Sequence, residues 1–346
     1  MILSIFNSQY SIVNFLKTVT AEHLVGAAGL LLLARWLLTT SLGRKALADS
    51  PLRSNNMPPY APLIPLFIWF GPVPLASMLI QESVKMGGRN LQPWQAAFLD
   101  NCVFCIGAAA TVAVIVVLAR TYFDHRLKGF GLDPKTIARD FAAAVVNLLA
   151  VWPLVMAAMI LTVFLMTLIS KQEYQMERHQ ELNLIIEYPQ LSLRILILFV
   201  AVLVAPVLEE MLFRGLFQTS IRSVLENSKF EARNPKQIRN SNAPMTETLA
   251  QSGESRFEFL DFEHSILFRI SNFVLSAFGA AGPAWLAIVI SSGFFALMHA
   301  NAGHWPALFV LGIGMGYAYE KSGSLFRSIF IHALFNGATV AATLSQ

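Results

Sequence analysis

Long apolar runs separated by short polar segments are the main pattern in this sequence. Nine runs reach or approach the length of about 20 helical residues that is needed to cross a bilayer core. Arg35 interrupts the first run, and the sixth run is short and contains Arg269. The pattern predicts an all-α fold, a polytopic transmembrane helical bundle with about eight or nine spans. The runs are residues 22–42, 62–84, 97–120, 141–169, 193–219, 264–281, 284–301, 305–320 and 324–344.

Composition and charge support a membrane location. Of the 346 residues, 55% are hydrophobic and only 13% are charged, whereas soluble domains have about 25% charged residues. The net charge of +4 comes mostly from loops, a pattern typical of an orientation signal and not of a nucleic-acid surface. Loops after the first, third and fifth runs are the most basic. The positive-inside rule therefore predicts an N-terminus outside and places the C-terminal end of the fifth run, with Glu209 and Glu210, toward the cytoplasmic side.

Two regions are predicted from the same pattern. Residues 1–190 contain no ionisable cluster within their apolar runs, and we interpret them as an accessory transmembrane region. Residues 191–345 contain the polar motifs described below and are interpreted as the functional core. Within this core, residues 226–263 are rich in Asn, Ser, Glu and Gln, so a disordered cytoplasmic loop is expected there. Cys102 and Cys105 lie inside an apolar run and are read as small apolar helix residues.

The first polar motif lies in the fifth run, where Glu209, Glu210 and Arg214 follow a long apolar stretch. Charged side chains at membrane depth are costly, so they indicate a functional site. Glu210 and Arg214 are four residues apart, the spacing of a helical salt bridge. Glu209 is rotated by about 100° from Glu210 on a helix and faces elsewhere. A buried Glu–Arg packing pair explains Glu210 and Arg214, but it leaves Glu209 without a partner.

Two further motifs place polar residues in other apolar runs. Phe295 and His299 share one helix face, and so do His332 and Asn336. Each His alone could be a hydrogen-bonded interior residue or part of a polar clamp between helices. An imidazole and a carboxamide together can also donate hydrogen bonds to an oxyanion. Three such motifs in three apolar runs favour a site over packing alone.

These motifs carry a family resemblance. EEMLFRG at Glu209–Gly215 matches EExxxR, FALMH at Phe295–His299 matches FxxxH, and HALFN at His332–Asn336 matches HxxxN. In this order and spacing they resemble the CPBP family of intramembrane proteases. That family includes CAAX prenyl endopeptidases of the Ras-converting-enzyme type and bacterial Abi proteins. The resemblance covers about residues 190–342, and the three motifs together are far more specific than any one of them.

The resemblance implies a role for each motif residue. Glu209 would activate water as a general base with the help of His299, and His332 and Asn336 would hold the oxyanion. Glu210 and Arg214 would orient the site. No metal or other cofactor is expected, although Glu209, His299 and His332 are enough ligands for Zn²⁺ with a water molecule.

The predicted function is therefore an intramembrane endopeptidase, with CAAX-type C-terminal processing as one form of it. Its expected substrate is a membrane-associated peptide or protein, its surroundings are the lipid bilayer, and no nucleic-acid partner is expected. Two alternatives stay open at this point. One is a non-catalytic immunity or scaffold protein that retains the fold, and the other is a transporter whose intramembrane charges line a pathway.

Overall fold

The computed structural model describes residues 21–51, 53–88, 91–176, 180–233 and 277–345, and these residues form helices without any β-strand. The all-α prediction is thereby confirmed. Two stretches of π-helix, π1 and π2, occur among the α-helices. In chain order the elements are α1 Ala21–Thr39, α2 Leu63–Phe70, α3 Pro72–Met86, α4 Pro93–Tyr122, α5 Leu127–Phe130, α6 Ile137–Ser170, α7 Gln180–Glu187, α8 Leu191–Phe199, π1 Val200–Val204, α9 Ala205–Glu210, π2 Met211–Gln218, α10 Thr219–Arg233, α11 Gly282–Leu297, α12 Trp305–Ser322 and α13 Leu325–Leu344.

Five of the described helical stretches are long and apolar enough to cross a membrane: Leu63–Met86, Pro93–Tyr122, Pro134–Ser170, Leu191–Glu226 and Leu325–Leu344. The apolar helices His23–Thr39 and Gly282–Leu297 are shorter. Most of the sixth predicted run lies outside the described residues. A helical membrane bundle is therefore present, and the number of eight or nine spans stays a prediction.

The surface of α6 shows why this bundle needs a lipid environment. Leu161, Phe164, Leu168 and Ile169 on this helix are all more than half exposed. Side chains of this kind would be unfavourable against water, at about 25 cal/mol per Å² of apolar surface. Helices satisfy their backbone hydrogen bonds internally, so the same surface can face hydrocarbon chains.

Two boundaries differ from the sequence prediction. The second run, residues 62–84, is not one straight helix, because the chain breaks at Gly71 between α2 and α3. Proline at position 72 begins α3, where its missing N–H costs little. The predicted loop at 226–263 begins too early, because α10 continues to Arg233. The rest of that loop lies outside the described residues.

A long helix, defined as residues 191–233 from α8 to α10, runs through the middle of the core and contains both π segments. A π-helix bonds each N–H to the carbonyl five residues earlier, and such segments are frequent at functional sites. Here three carbonyls of the π segments accept hydrogen bonds from side chains. Asn336 Nδ2 donates to Ala201 O at 2.8 Å, Ser291 Oγ to Phe213 O at 2.8 Å, and Thr219 Oγ1 to Arg214 O at 3.3 Å.

Helices α4, α11 and α13 pack directly against this long helix. Helix α11 packs against α12, while α12 and α13 both pack on α6. Small residues let α12 approach closely, since a Cβ on Gly312 would lie 2.9 Å from Ser292 Cβ. Close approach of this kind is how helices associate in membranes, where lipid competes with apolar contacts.

Two arginines join the segment before α2 to the core. Arg53 donates to the carbonyls of Tyr319 and Gly323 at 3.1 Å each and lies 3.6 Å above the Tyr319 ring. Arg222 donates to Pro51 O at 3.3 Å and pairs with the buried carboxylate of Glu320. These two arginines hold the segment before α2 against α12 and against α10 of the long helix.

Candidate active site

The site begins with a buried ion pair on the long helix. Arg214 Nη1 lies 2.9 Å from Glu210 Oε1, and both side chains are fully buried. The structure thus contains the contact that their spacing predicts. Arg214 also donates to Gly312 O at 3.2 Å and lies over the Phe295 ring, 4.4 Å from its centroid. The guanidinium is therefore held from three sides.

His332 on α13 joins this pair. Its Nδ1 atom lies 3.0 Å from Glu210 Oε1, and its Nε2 atom lies 3.9 Å from Glu209 Oε2. Since a carboxylate accepts hydrogen bonds, the first contact places a proton on Nδ1. The imidazole therefore stands between the two glutamates. Phe295 packs edge-on against it, with ring centroids 5.5 Å apart.

Glu209 differs from its neighbour in its surroundings. Its side chain is 26% exposed, whereas that of Glu210 is fully buried. Glu209 lines a cavity of about 610 Å³, and its Oε2 atom is buried without a hydrogen-bond partner. The two adjacent carboxylates therefore have separate environments, one inside an ion-pair network and the other at a cavity.

His299 lies at the C-terminal end of α11 and lines the same cavity. Its Nδ1 atom is 2.8 Å from the Phe295 carbonyl oxygen, which can only accept a hydrogen bond. The proton of the neutral ring is therefore on Nδ1, and Nε2 is an acceptor. Trp305 Nε1 donates to His299 O at 2.8 Å, which fixes the turn after the helix.

Asn336 lies one turn after His332 on α13 and completes the set of cavity residues. Its Nδ2 group donates one hydrogen to Ala201 O at 2.8 Å. A carboxamide carries two hydrogens on this nitrogen, so one more donor is available in principle. All four residues expected to be catalytic, Glu209, His299, His332 and Asn336, thus line one cavity, with Glu210 and Arg214 buried behind it.

Three groups of this site are not apparent from the sequence motifs. Asp100 and Asn101 on α4 and Glu181 on α7 line the same cavity as Glu209. Residues 1–190 therefore contribute two carboxyl groups to the cavity, although only Asp100 lies within a predicted apolar run and Glu181 lies outside all of them. Asp100 and Glu181 are 81 positions apart, and only the packing of α4 and α7 beside the long helix brings them together. The sequence gives one indication of this part of the site, because Asp100 is a charged residue inside the third apolar run.

The metal alternative requires converging ligands. Within the part of the chain that the structure describes, no group of three or more His, Cys, Asp or Glu side chains is arranged to hold a metal ion. Glu209, His299 and His332 line one cavity without forming such a group. The expectation that no metal is needed stays a prediction.

One of three comparisons with known proteins finds a match, and it covers the region that contains these residues. The family model described as type II CAAX prenyl endopeptidase Rce1-like matches residues 191–237 and 264–338, which include all three motifs. The predicted resemblance to the CPBP proteases is thereby confirmed. Comparison with curated proteins and with solved structures finds no significant match.

Proposed function

Residues 191–237 and 264–338 carry the pattern of Rce1-like CAAX endopeptidases, and on this premise we propose that the chain hydrolyses peptide bonds within or beside the bilayer. The observation that carries the proposal is the single cavity shared by Glu209, His299, His332 and Asn336. A scaffold protein needs none of these four residues at a common surface. A peptidase needs a general base, a second hydrogen-bond acceptor that holds the attacking water, and hydrogen-bond donors for the oxyanion, all around one carbonyl group.

Glu209 is the proposed general base. It takes one proton from a water molecule while the water oxygen bonds to the carbonyl carbon of the substrate. His299 supports this step, because Nδ1–H donates to Phe295 O and leaves Nε2 as an acceptor for the same water. The proton held by Glu209 then passes to the leaving amine as the C–N bond breaks. The other hydrogen of the water stays on the hydroxyl group, and the products are a carboxylic acid and an amine.

His332 and Asn336 are the proposed oxyanion donors. Because Nδ1–H of His332 donates to Glu210, its Nε2 atom can donate only when the ring is protonated on both nitrogens. With His332 in that form, the formal charges of Glu209, Glu210, Arg214 and His332 sum to zero. Asn336 contributes its second amide hydrogen while Ala201 O holds the first.

The proposed orientation follows from the loop charges. The basic residues after the first, third and fifth runs would lie in the cytoplasm, with the N-terminus outside. Glu209 would then lie toward the cytoplasmic side of its span. A membrane-associated peptide with its C-terminus at that surface is the proposed substrate class, and CAAX-type C-terminal processing is the specific form that the family match supports.

The experiment is a cleavage assay in proteoliposomes with fluorogenic peptides that end in a CAAX sequence, with and without an isoprenoid on the cysteine. Wild type should release the C-terminal tripeptide, and Glu209→Gln should reduce the rate by about 100-fold or more, the scale of general-base catalysis. Equal rates for the two proteins would remove Glu209 from this role. No cleavage of any peptide by folded wild type would instead favour the immunity or scaffold alternative.

A further inference from the structure

The cavity at Glu209 is elongated along the long helix. Ile197, Ala201, Ala205 and Glu209 all line it, at intervals of four residues. The 12 residues from Ile197 to Glu209 correspond to about 18 Å at 1.5 Å per residue. An extended peptide spans about 3.3 Å per residue. The cavity therefore has room along its axis for about five residues beyond the reacting bond.

Its far end is polar and comes from the N-terminal region. Asp100, Asn101 and Glu181 line the cavity, and because their neighbours Phe98 and Leu182 pack in one cluster with Ile197, this polar group lies at the Ile197 end. Asp100 Oδ1 accepts hydrogen bonds from Ser77 Oγ, at 2.7 Å, and from Gln81 Nε2. These donors on α3 fix the carboxylate in position.

Glu181 is the group at this end whose hydrogen bonding is incomplete. It interacts with Asn101, which is only 6% exposed, but its Oε2 atom is buried and accepts no hydrogen bond. Burial raises the pKa of this carboxyl, and the nearby Asp100 adds to the effect. A buried acceptor without a donor is unfavourable, so a donor supplied by a bound molecule would compensate it.

The charges of the cavity lining indicate the sign of that molecule. Three carboxyl groups line the cavity, those of Asp100, Glu181 and Glu209, and the described lining contains three histidines, His299, His304 and His332, but no Lys or Arg. A cationic group would lower the repulsion between these carboxylates, whereas an anionic group would add to it. A lysine ammonium or an arginine guanidinium also supplies several hydrogen-bond donors.

We propose that Asp100, Asn101 and Glu181 form a subsite for a basic side chain of the peptide substrate, about five residues from the bond that is cut. This inference rests on the proposed function, because it assumes that a peptide occupies the cavity with its scissile bond at Glu209. It assigns a part in substrate selection to the N-terminal region, through α4 and α7.

The test uses one peptide series with the proteins in proteoliposomes. The series varies the fifth residue before the cleaved bond, with Lys, Gln or Glu, because release of a C-terminal tripeptide leaves no fifth residue after that bond. Wild type should cleave the Lys peptide about tenfold more efficiently than the Gln peptide, and the Glu peptide least. A tenfold ratio corresponds to about 1.4 kcal/mol, and it should appear in KM with kcat little changed.

Three variants test whether the preference for the Lys peptide depends on Asp100 and Glu181. Glu181→Gln and Asp100→Asn should each reduce the Lys-to-Gln ratio toward one. Glu187→Gln, on the same short helix but exposed and outside the cavity lining, should keep the wild-type ratio. Thermal unfolding confirms that each variant is folded.

Several outcomes would overturn the subsite. Wild type that cleaves the Lys, Gln and Glu peptides equally well would refute it while the proposed function stands. A Lys preference that persists in both Glu181→Gln and Asp100→Asn would also refute it. Failure of wild type to cleave any peptide would refute the proposed function, and the subsite with it.

Discussion

Nδ1 of His332 lies 3.0 Å from Oε1 of Glu210, a contact between two residues 122 positions apart in the chain. The same oxygen accepts from Arg214 at 2.9 Å. Glu210 therefore connects the EExxxR motif to the HxxxN motif directly. It determines which nitrogen of His332 faces the cavity, although Glu210 is not itself among the cavity-lining residues.

Removal of the arginine from this network should mainly affect stability. Arg214→Ala leaves Glu210 fully buried without its cation, and the loss of one partner of a buried pair costs about 3–5 kcal/mol. We expect a lower melting temperature in detergent and a lower yield. Lys85→Ala is the control, since Lys85 belongs to an exposed pair with Glu82 at 3.8 Å. Equal melting temperatures for Arg214→Ala and wild type would contradict the structural role of the pair.

Glu209→Gln should affect activity without affecting stability. The substitution keeps the shape of the side chain and removes only the base, and Glu209 lies at the cavity, outside the buried network. Its melting temperature should therefore match that of wild type, while peptide cleavage falls by about 100-fold or more. Thermal unfolding and the cleavage assay on one preparation provide both values. A large loss of stability would mean that Glu209 has a packing role.

Asn336→Ala should reduce kcat by about 100- to 1,000-fold with KM little changed. This is the cost of losing one oxyanion donor, which acts mainly in the transition state. Steady-state kinetics separates the two constants. Thr121→Ala is a suitable control, because its hydroxyl donates only to Val117 O within its own helix. A rise in KM at constant kcat would instead identify Asn336 as a substrate-binding residue.

Activity should not depend on a metal ion. A mechanism that uses Glu209 as base and His332 and Asn336 as donors predicts little effect of EDTA on the purified enzyme. Elemental analysis of active protein provides the measurement. Stoichiometric zinc, with activity that is lost on its removal and restored on its return, would overturn this prediction and leave the peptidase assignment in place.

Two glycines provide a matched test of packing around the motif. A Cβ on Gly215, in π2, would lie 2.2 Å from Phe130 Cζ, whereas a Cβ on Gly293, in α11, would meet nothing within 4 Å. Gly215→Ala should therefore lower the melting temperature, because the ring of the fully buried Phe130 must move. Gly293→Ala should be neutral or stabilising, since alanine favours helix by about 1 kcal/mol. Equal effects of the two substitutions would exclude this contact as the cause.

The sequence predicts those parts of the site that depend on one helix at a time. Glu210 and Arg214 are four residues apart, so the helix itself brings them into contact. The separate environment of Glu209 follows from the same geometry. These relationships need no knowledge of how the helices pack.

The rest depends on packing between helices. Asp100 and Glu181 reach the cavity only because α4 and α7 pack beside the long helix, and no local spacing indicates this. The π segments are equally hard to predict, since partners such as Asn336 and Ser291 bind carbonyls of π1 and π2 from other helices. Periodicity of apolar residues locates a helix but does not show which hydrogen-bond pattern its backbone uses.

The π segments have a consequence for insertions and deletions. A π turn contains one residue more than an α turn, because its hydrogen bonds run from i to i+5, so one residue removed from Val200–Val204 would leave an ordinary α turn and change the rotation between Ile197 and Glu209 little. One residue removed between Ala205 and Glu209, in α9, would instead rotate Glu209 relative to Ile197 by about 100°. Either the cavity-facing side of α8 or the contact of Glu209 with His332 would then be lost. The length of the α-helical part between these positions is therefore as much a requirement of the site as the identity of Glu209. A change in length before residue 191 does not alter that rotation.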